Sequence, residues 1–160
     1  MKLLVAAVGR LKRGPECELA ERYRARAEKA GRSLGFRALD IVEIDESRGR
    51  RAAERAAAEA GAIARILPEN AAIVVLDEGG ANLSSADLAG LIGGWRDRGR
   101  EAAAFVVGGP DGLADRILAR AERRLAFGTA TWPHQLVRIM LLEQLYRAIT
   151  ILGGHPYHRP

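Results

Sequence analysis

The strongest constraint on this chain is a regular alternation of short apolar runs and helix-patterned stretches, separated by brief loops. Residues 2–8 form an apolar run closed by Gly9, and residues 16–32 are charged with a helical pattern. Residues 37–44 place Leu39, Ile41, Val42 and Ile44 in a β-rich run. Residues 50–67 set Ala53, Ala56, Ala60, Ile63, Ala64 and Leu67 along one helical face. Residues 72–76 and 103–107 are short runs of the kind buried on both sides in parallel sheets. Between them, Ser84 with Asp87 three residues on marks a helix start, and Gly99 marks its stop. A helix over residues 113–124 is predicted next. A last helix begins at Pro133, a favoured first-turn position, and ends at Gly153-Gly154. Such alternation predicts an α/β fold: three layers around a mostly parallel sheet, with ligands bound beyond the carboxyl ends of the strands.

A length of 160 residues suits one domain spanning residues 1–160, and no repeat or linker interrupts it. No apolar stretch reaches the ~18–20 residues of a membrane helix. Cys17 is the sole cysteine, which excludes a disulfide framework and any multi-cysteine zinc site. The first ten residues resemble an export signal only superficially. Arg10, Lys12 and Arg13 stand where a cleavage site would be, so the segment reads as a buried strand and the expected location is cytoplasmic.

Charge points to a polyanionic partner. The net charge is +5 and the isoelectric point is near 10.0. The window from Arg10 to Arg37 holds nine basic residues against Glu16, Glu18, Glu21 and Glu28, so it alone carries the whole excess. Clustered arginines attract phosphate and pair with it bidentately. A solvated helix face accounts for the same composition.

Two glycine-rich loops follow predicted strands: Asp77-Glu78-Gly79-Gly80 and Gly108-Gly109-Pro110-Asp111-Gly112. Neither fits a P-loop or a dinucleotide fingerprint. Glycines there let a ligand approach the backbone, although a plain strand-to-helix turn needs them too. The segment from Leu125 to His134 mixes small residues, hydroxyls and two aromatics, which suits an apolar slot with backbone hydrogen bonding. The three histidines, His134, His155 and His158, share no helical metal-ligand spacing, so no metal site is expected. An RNA contact by the His155-Pro156-Tyr157-His158-Arg159 tail fits their chemistry better, since rings stack on bases and arginine pairs with phosphate.

The last helix is apolar on several sides. Leu136, Ile139, Met140 and Tyr146 fall on one, Val137, Leu141, Leu145, Ala148 and Leu152 on another. The sheet would cover one side and a second protomer the other, predicting a dimer. Glu143 and Arg147, four residues apart, are placed to pair. Arg138 has no such partner and so is expected to face a ligand.

Several of these segments occur together in one known family. They are Leu76-Asp77-x-x-Gly80, Val107-Gly108-Gly109-Pro110-x-Gly112-Leu113, Thr131-x-Pro133-His134-Gln135-Leu136-x-Arg138, Leu142-Glu143-Gln144-Leu145-Tyr146-Arg147-Ala148 and Pro156-Tyr157-His158. In this combination, over almost the whole chain, the sequence resembles the bacterial ribosomal RNA large-subunit methyltransferase H family of SPOUT enzymes. The resemblance implies an α/β knot, with the C-terminal helix threaded through a loop, which general topology rules would not suggest. It implies S-adenosylmethionine as methyl donor, N3 of a pseudouridine in 23S rRNA as target, the assembled ribosome as substrate, and a homodimer.

It also assigns residues. Leu76, Gly108 and the loop Phe127, Gly128, Thr129, Ala130, Thr131 and Trp132 correspond to the cofactor contacts. His134, Arg138, Tyr157 and His158 are the candidates for the catalytic centre: Arg138 to stabilise an anion or phosphate, Tyr157 with His158 to hold the base. The family commonly has Ser where Gly128 stands, a larger apolar residue at Ala130 and often Lys at Gly80. A non-catalytic RNA binder of the same fold and a SPOUT enzyme acting on tRNA are the alternatives.

Overall fold

The computed structural model describes residues 1–159. Five strands, β1 (Lys2–Val8), β2 (Ala38–Ile44), β3 (Ala72–Asn82), β4 (Ala102–Val107) and β5 (Arg123–Ala126), form one sheet. Their order is β2-β1-β4-β3-β5, and every pairing is parallel. The helices are α1 (Pro15–Gly31), α2 (Ala52–Ile66), α3 (Ser85–Asp97), α4 (Asp115–Leu118) and α5 (His134–Leu152).

The strand pattern explains the layers. Successive side chains of a strand face opposite sides. In β1, Leu3, Val5 and Ala7 join one core with α1, α3 and α5, while Leu4, Ala6 and Val8 join another with α2 and α4. Both faces are covered, so the central strands are uninterrupted apolar runs rather than alternating ones. Helix starts follow local chemistry. Pro15 opens α1. Ser84 caps α3 by accepting from the Asp87 amide at 3.1 Å, and the Asp87 carboxylate accepts from the Ser84 amide in return.

Two expectations are corrected. The helix predicted over residues 113–124 is a single turn, α4, and the chain then enters β5. Leu125 and Ala126 are buried against β3, whereas Arg123 and Arg124 point to solvent from an edge strand. Two charged residues at a sheet edge give β5 no apolar alternation to read. Second, β3 runs past Leu76 to Asn82, with Asp77–Gly80 bulging out of register before Ala81 pairs with Leu125. Helix α5 buries most of its sides within its own chain, while Leu136 stays exposed and Met140 half-buried on the side expected to meet a second protomer. The helix is packed on the sheet between α1 and α3, with Leu141, Leu142, Leu145, Ala148 and Ile149 all within 1% of full burial.

Candidate active site

Because all strands run parallel, the loops after β1, β2, β4 and β5 open on one edge of the sheet. A cavity of about 740 Å³ lies there, lined by residues 76–78, 107–113, 125–128 and 130–134 with Val137 of α5. Its volume falls within the roughly 300–1,000 Å³ common for small-molecule sites.

The glycine loop forms one lip. A side chain on Gly108 would stand 3.0 Å from Leu113 and 3.1 Å from the Gly112 backbone, and one on Gly109 would stand 2.9 Å from Val8. Gly112 adopts φ +76°, and its amide donates to the Gly109 carbonyl at 3.0 Å. The loop therefore offers bare backbone at Gly108, Gly109 and Gly112, between which Pro110 and Asp111 carry its side chains. Asp111 within it is gripped by Arg55 of α2, whose Nε and Nη2 donate to its two oxygens at 2.6 and 2.8 Å. Those hydrogen bonds hold the Asp111 carboxyl below its ordinary range and raise Arg55.

The opposite lip is the loop after β5. Trp132 Nε1 donates to the Phe127 carbonyl at 2.9 Å, closing residues 127–132 into a ring. The Gly128 amide donates to Asn82 Oδ1 at 2.7 Å, and Gly128 takes φ +89°, where its missing side chain removes the strain. Gly80 is confined differently. A Cβ there would lie 2.6 Å from the Leu125 backbone, so a lysine has no room at that position. The sequence departure attributed to Gly80 is thus a requirement of the close β3–β5 approach.

The structure brings together Leu76, Gly108, Phe127, Gly128, Ala130, Thr131, Trp132 and His134 around this cavity; Thr129 does not line it. His134 stands at the start of α5, its ring over Gly9, with Nε2 buried 3.6 Å from Glu46 Oε1 and without a hydrogen bond. Glu78, Leu125 and Ala126, which lie in the segments expected to face a ligand, join the lining with Val107 and Val137, which the resemblance does not assign as contacts. Val137 follows from His134 by one helical step of three residues.

Arg138 is corrected. It does not face a ligand: its side chain is wholly buried, and it clamps two strands' ends together. Nη1 donates to Glu43 Oε1 at 2.6 Å, while Nη2 donates to the carbonyls of Gly9 at 2.7 Å and Val8 at 3.2 Å. Burial pulls its pKa down, and Glu43 opposes that. The same Glu43 oxygen accepts the Leu11 amide at 2.9 Å.

Tyr157 and His158 do not line the cavity of their own chain. Tyr157 docks instead near the far end of α5. Its hydroxyl donates to Glu143 Oε1 at 3.0 Å, its ring lies 4.6 Å from Tyr146, and the Arg147 guanidinium sits 4.7 Å above it. Burial, then hydrogen bonding with Tyr23 and Glu143, raises the Tyr157 hydroxyl far above its ordinary value, so it stays protonated. The Glu143–Arg147 pair expected from spacing is present at 2.5 Å.

With this geometry in place, comparison with known proteins gives one answer. A family model described as "Predicted SPOUT methyltransferase" matches residues 1–158. Three similar curated relatives are each named ribosomal RNA large subunit methyltransferase H. The one from Bradyrhizobium sp. (strain ORS 278) is 60% identical over 99% of this chain and 98% of its own. Those from Afipia carboxidovorans and Rhodopseudomonas palustris (strain HaA2) are 62% and 59% identical over 99% of both chains.

Proposed function

The chain belongs to the SPOUT methyltransferase family, alongside the ribosomal RNA large subunit methyltransferase H proteins, and on that premise we propose that it methylates N3 of a pseudouridine in 23S rRNA on the assembled ribosome. S-adenosylmethionine is the methyl donor this family membership implies, and it supplies an electrophilic methyl group on a sulfonium. The observation that carries the reading is the cavity itself. It joins the glycine loop 108–112 to an apolar slot of Leu76, Val107, Leu125 and Phe127, in a chain that matches the family over residues 1–158. Backbone amides and carbonyls of Gly108–Gly112 and the Phe127–Trp132 ring would hold the polar parts of the donor. The apolar slot would take its flat base.

The remaining work of the protein is to align the nucleophile, exclude water and take a proton. The imide N3 of pseudouridine attacks once its proton leaves. Among the residues lining the cavity, His134 is the one imidazole, with its Nε2 buried and without a hydrogen-bond partner, which makes it our candidate acceptor. Arg138 positions His134's end of α5 and the loop after β1 rather than meeting the substrate. As the tail does not line its own cavity, Tyr157 and His158 would hold the base in the cavity of a second copy, within a cytoplasmic homodimer. A groove of Leu19, Tyr23, Phe127, Ile139 and Met140, beside exposed Leu136, offers the apolar surface for that contact. The family's C-terminal knot and a single catalytic domain over residues 1–160 belong to the same proposal.

The test is transfer of labelled methyl to undermethylated 70S ribosomes, beside naked rRNA and tRNA, with the labelled nucleotide mapped. Label on a large-subunit pseudouridine is expected; label on tRNA alone, or none at all, would overturn the reading. His158→Ala should lower turnover and leave cofactor affinity intact. Mixing H158A with H134A protomers should restore methylation if the tail acts across the dimer, and a mixture as inactive as its parents refutes that arrangement.

A further inference from the structure

The loop after β2 carries a second arginine cluster that lies on the cavity's edge of the sheet. Arg48, Arg50 and Arg51 are all exposed there, next to exposed Arg10, Lys12 and Arg13 in the loop after β1. Arg10 and Arg51 are paired, with Asp45 and Glu54. Among the described residues, Lys12, Arg13, Arg48 and Arg50 have no carboxylate partner within 4.0 Å.

This cluster is held in place. Glu59 of α2, only 5% exposed, accepts the Ser47 amide through Oε1 at 2.9 Å. One turn earlier on α2, Arg55 Nη1 donates to the Gly49 carbonyl at 3.0 Å and the Arg50 carbonyl at 3.3 Å. The same guanidinium grips Asp111 of the glycine loop. One side chain therefore fixes the arginine loop and the cavity's lip to each other.

The rest of the basic window from Arg10 to Arg37 is elsewhere. A helix of 17 residues such as α1 climbs about 25 Å, which takes Lys29, Arg32 and Arg37 to the amino edge of the sheet. Arg24 is spent on Glu21 and Glu28.

We infer that residues 47–51, with Arg10, Lys12 and Arg13, form a docking ridge for the phosphates of the RNA that presents its base to the cavity. Arg48 and Arg50 are the principal contacts and Arg55 is a positioning residue. The inference rests on the rRNA methyltransferase reading and names which surface meets the RNA. Phosphate contacts fix register and orientation without reading sequence, which suits a chain whose target is set by a pre-folded particle.

Binding of the full-length protein to undermethylated ribosomes, measured against salt, tests it. Arg48→Ala with Arg50→Ala should weaken binding roughly ten-fold or more and lower the salt slope by about one per arginine removed. S-adenosylmethionine affinity and melting temperature should stay put. Lys29→Ala with Arg32→Ala removes equal charge from the far edge and should leave the slope unchanged. A wild-type slope in the first variant, or an equal loss in the second, overturns the ridge. Arg55→Ala should raise KM for the ribosome and weaken cofactor binding together; a change in melting temperature alone overturns its positioning role. Failure of the underlying reading is separate, because it would show as absent methyl transfer by the unaltered protein.

Discussion

The two ends of α5 carry the same chemistry in different settings. At the start, Arg138 pairs with Glu43 across 95 residues of chain and is fully buried. Towards the other end, Arg147 pairs with Glu143 one helical turn away, with side chains 26% and 17% exposed. The Arg138 guanidinium has replaced water entirely, with two backbone carbonyls added to its coordination, while the Glu43 side chain keeps 29% of its exposure. The second pair keeps solvent and adds an aromatic ring, that of Tyr157. A wholly buried guanidinium derives its value from what would be stranded without it, a pair open to solvent at both ends from a modest attraction. The former thus acts as a structural clamp for the cavity's edge, and the latter as a latch for the tail.

The largest effect is expected from breaking the clamp. Arg138→Met removes the guanidinium, leaves two inward carbonyls unpaired and frees Glu43, at a cost of about 3 kcal/mol in unfolding free energy. Urea denaturation reads it directly. Arg138→Lys should recover little, because an ammonium cannot span Glu43 and both carbonyls as a planar fork does. A shift in R138M no larger than that of a surface pair would reverse the comparison and return Arg138 to the substrate.

Unlatching the tail should cost less stability and more function. Glu143→Ala loses the i, i+4 pair and the Tyr157 hydroxyl's acceptor, together about 1 kcal/mol. Methylation of ribosomes should fall further than that loss of stability explains, with cofactor affinity retained. If activity tracks stability alone, the latch has no part in presenting Tyr157 and His158.

This contrast also marks what could be read before the structure. Glu143–Arg147 was legible because helical spacing is local. The partner of Arg138 was not, since nothing in residues 134–142 points to a strand end 95 positions earlier, and a lone arginine looked free for a ligand. The layered α/β fold was legible because strands buried on both faces are plain apolar runs, as in Ala103–Val107. β5 was hidden because an edge strand with Arg123 and Arg124 outward loses that signature. The cavity's lips announced themselves through glycines, where Leu113 and the Gly112 backbone crowd Gly108 and the Val8 side chain crowds Gly109. Thr129 was included only because it lies within the loop. Where the tail docks depends on stacking among Tyr146, Arg147 and Tyr157, a contact no periodicity encodes.

A third arginine–carboxylate pair, Arg55 with Asp111, extends the comparison to the surface and should give the smallest effect. Hydrogen bonding from Arg55 lowers the Asp111 pKa in the folded state. A depressed carboxyl contributes stability that is complete above its unfolded value, near 3.9. That contribution disappears as pH falls through the lower folded value. Asp111→Asn should therefore be slightly less stable than the unaltered protein at pH 7, and the gap between their urea midpoints should close below about pH 4. Cofactor binding should respond over the same acid range, because the Gly108–Gly112 lip loses its tether to α2 as Asp111 protonates. A midpoint gap that stays constant from pH 7 to pH 3 would mean that the pair contributes nothing to stability, and that the lip is held by its own backbone turn at Gly109–Gly112 alone.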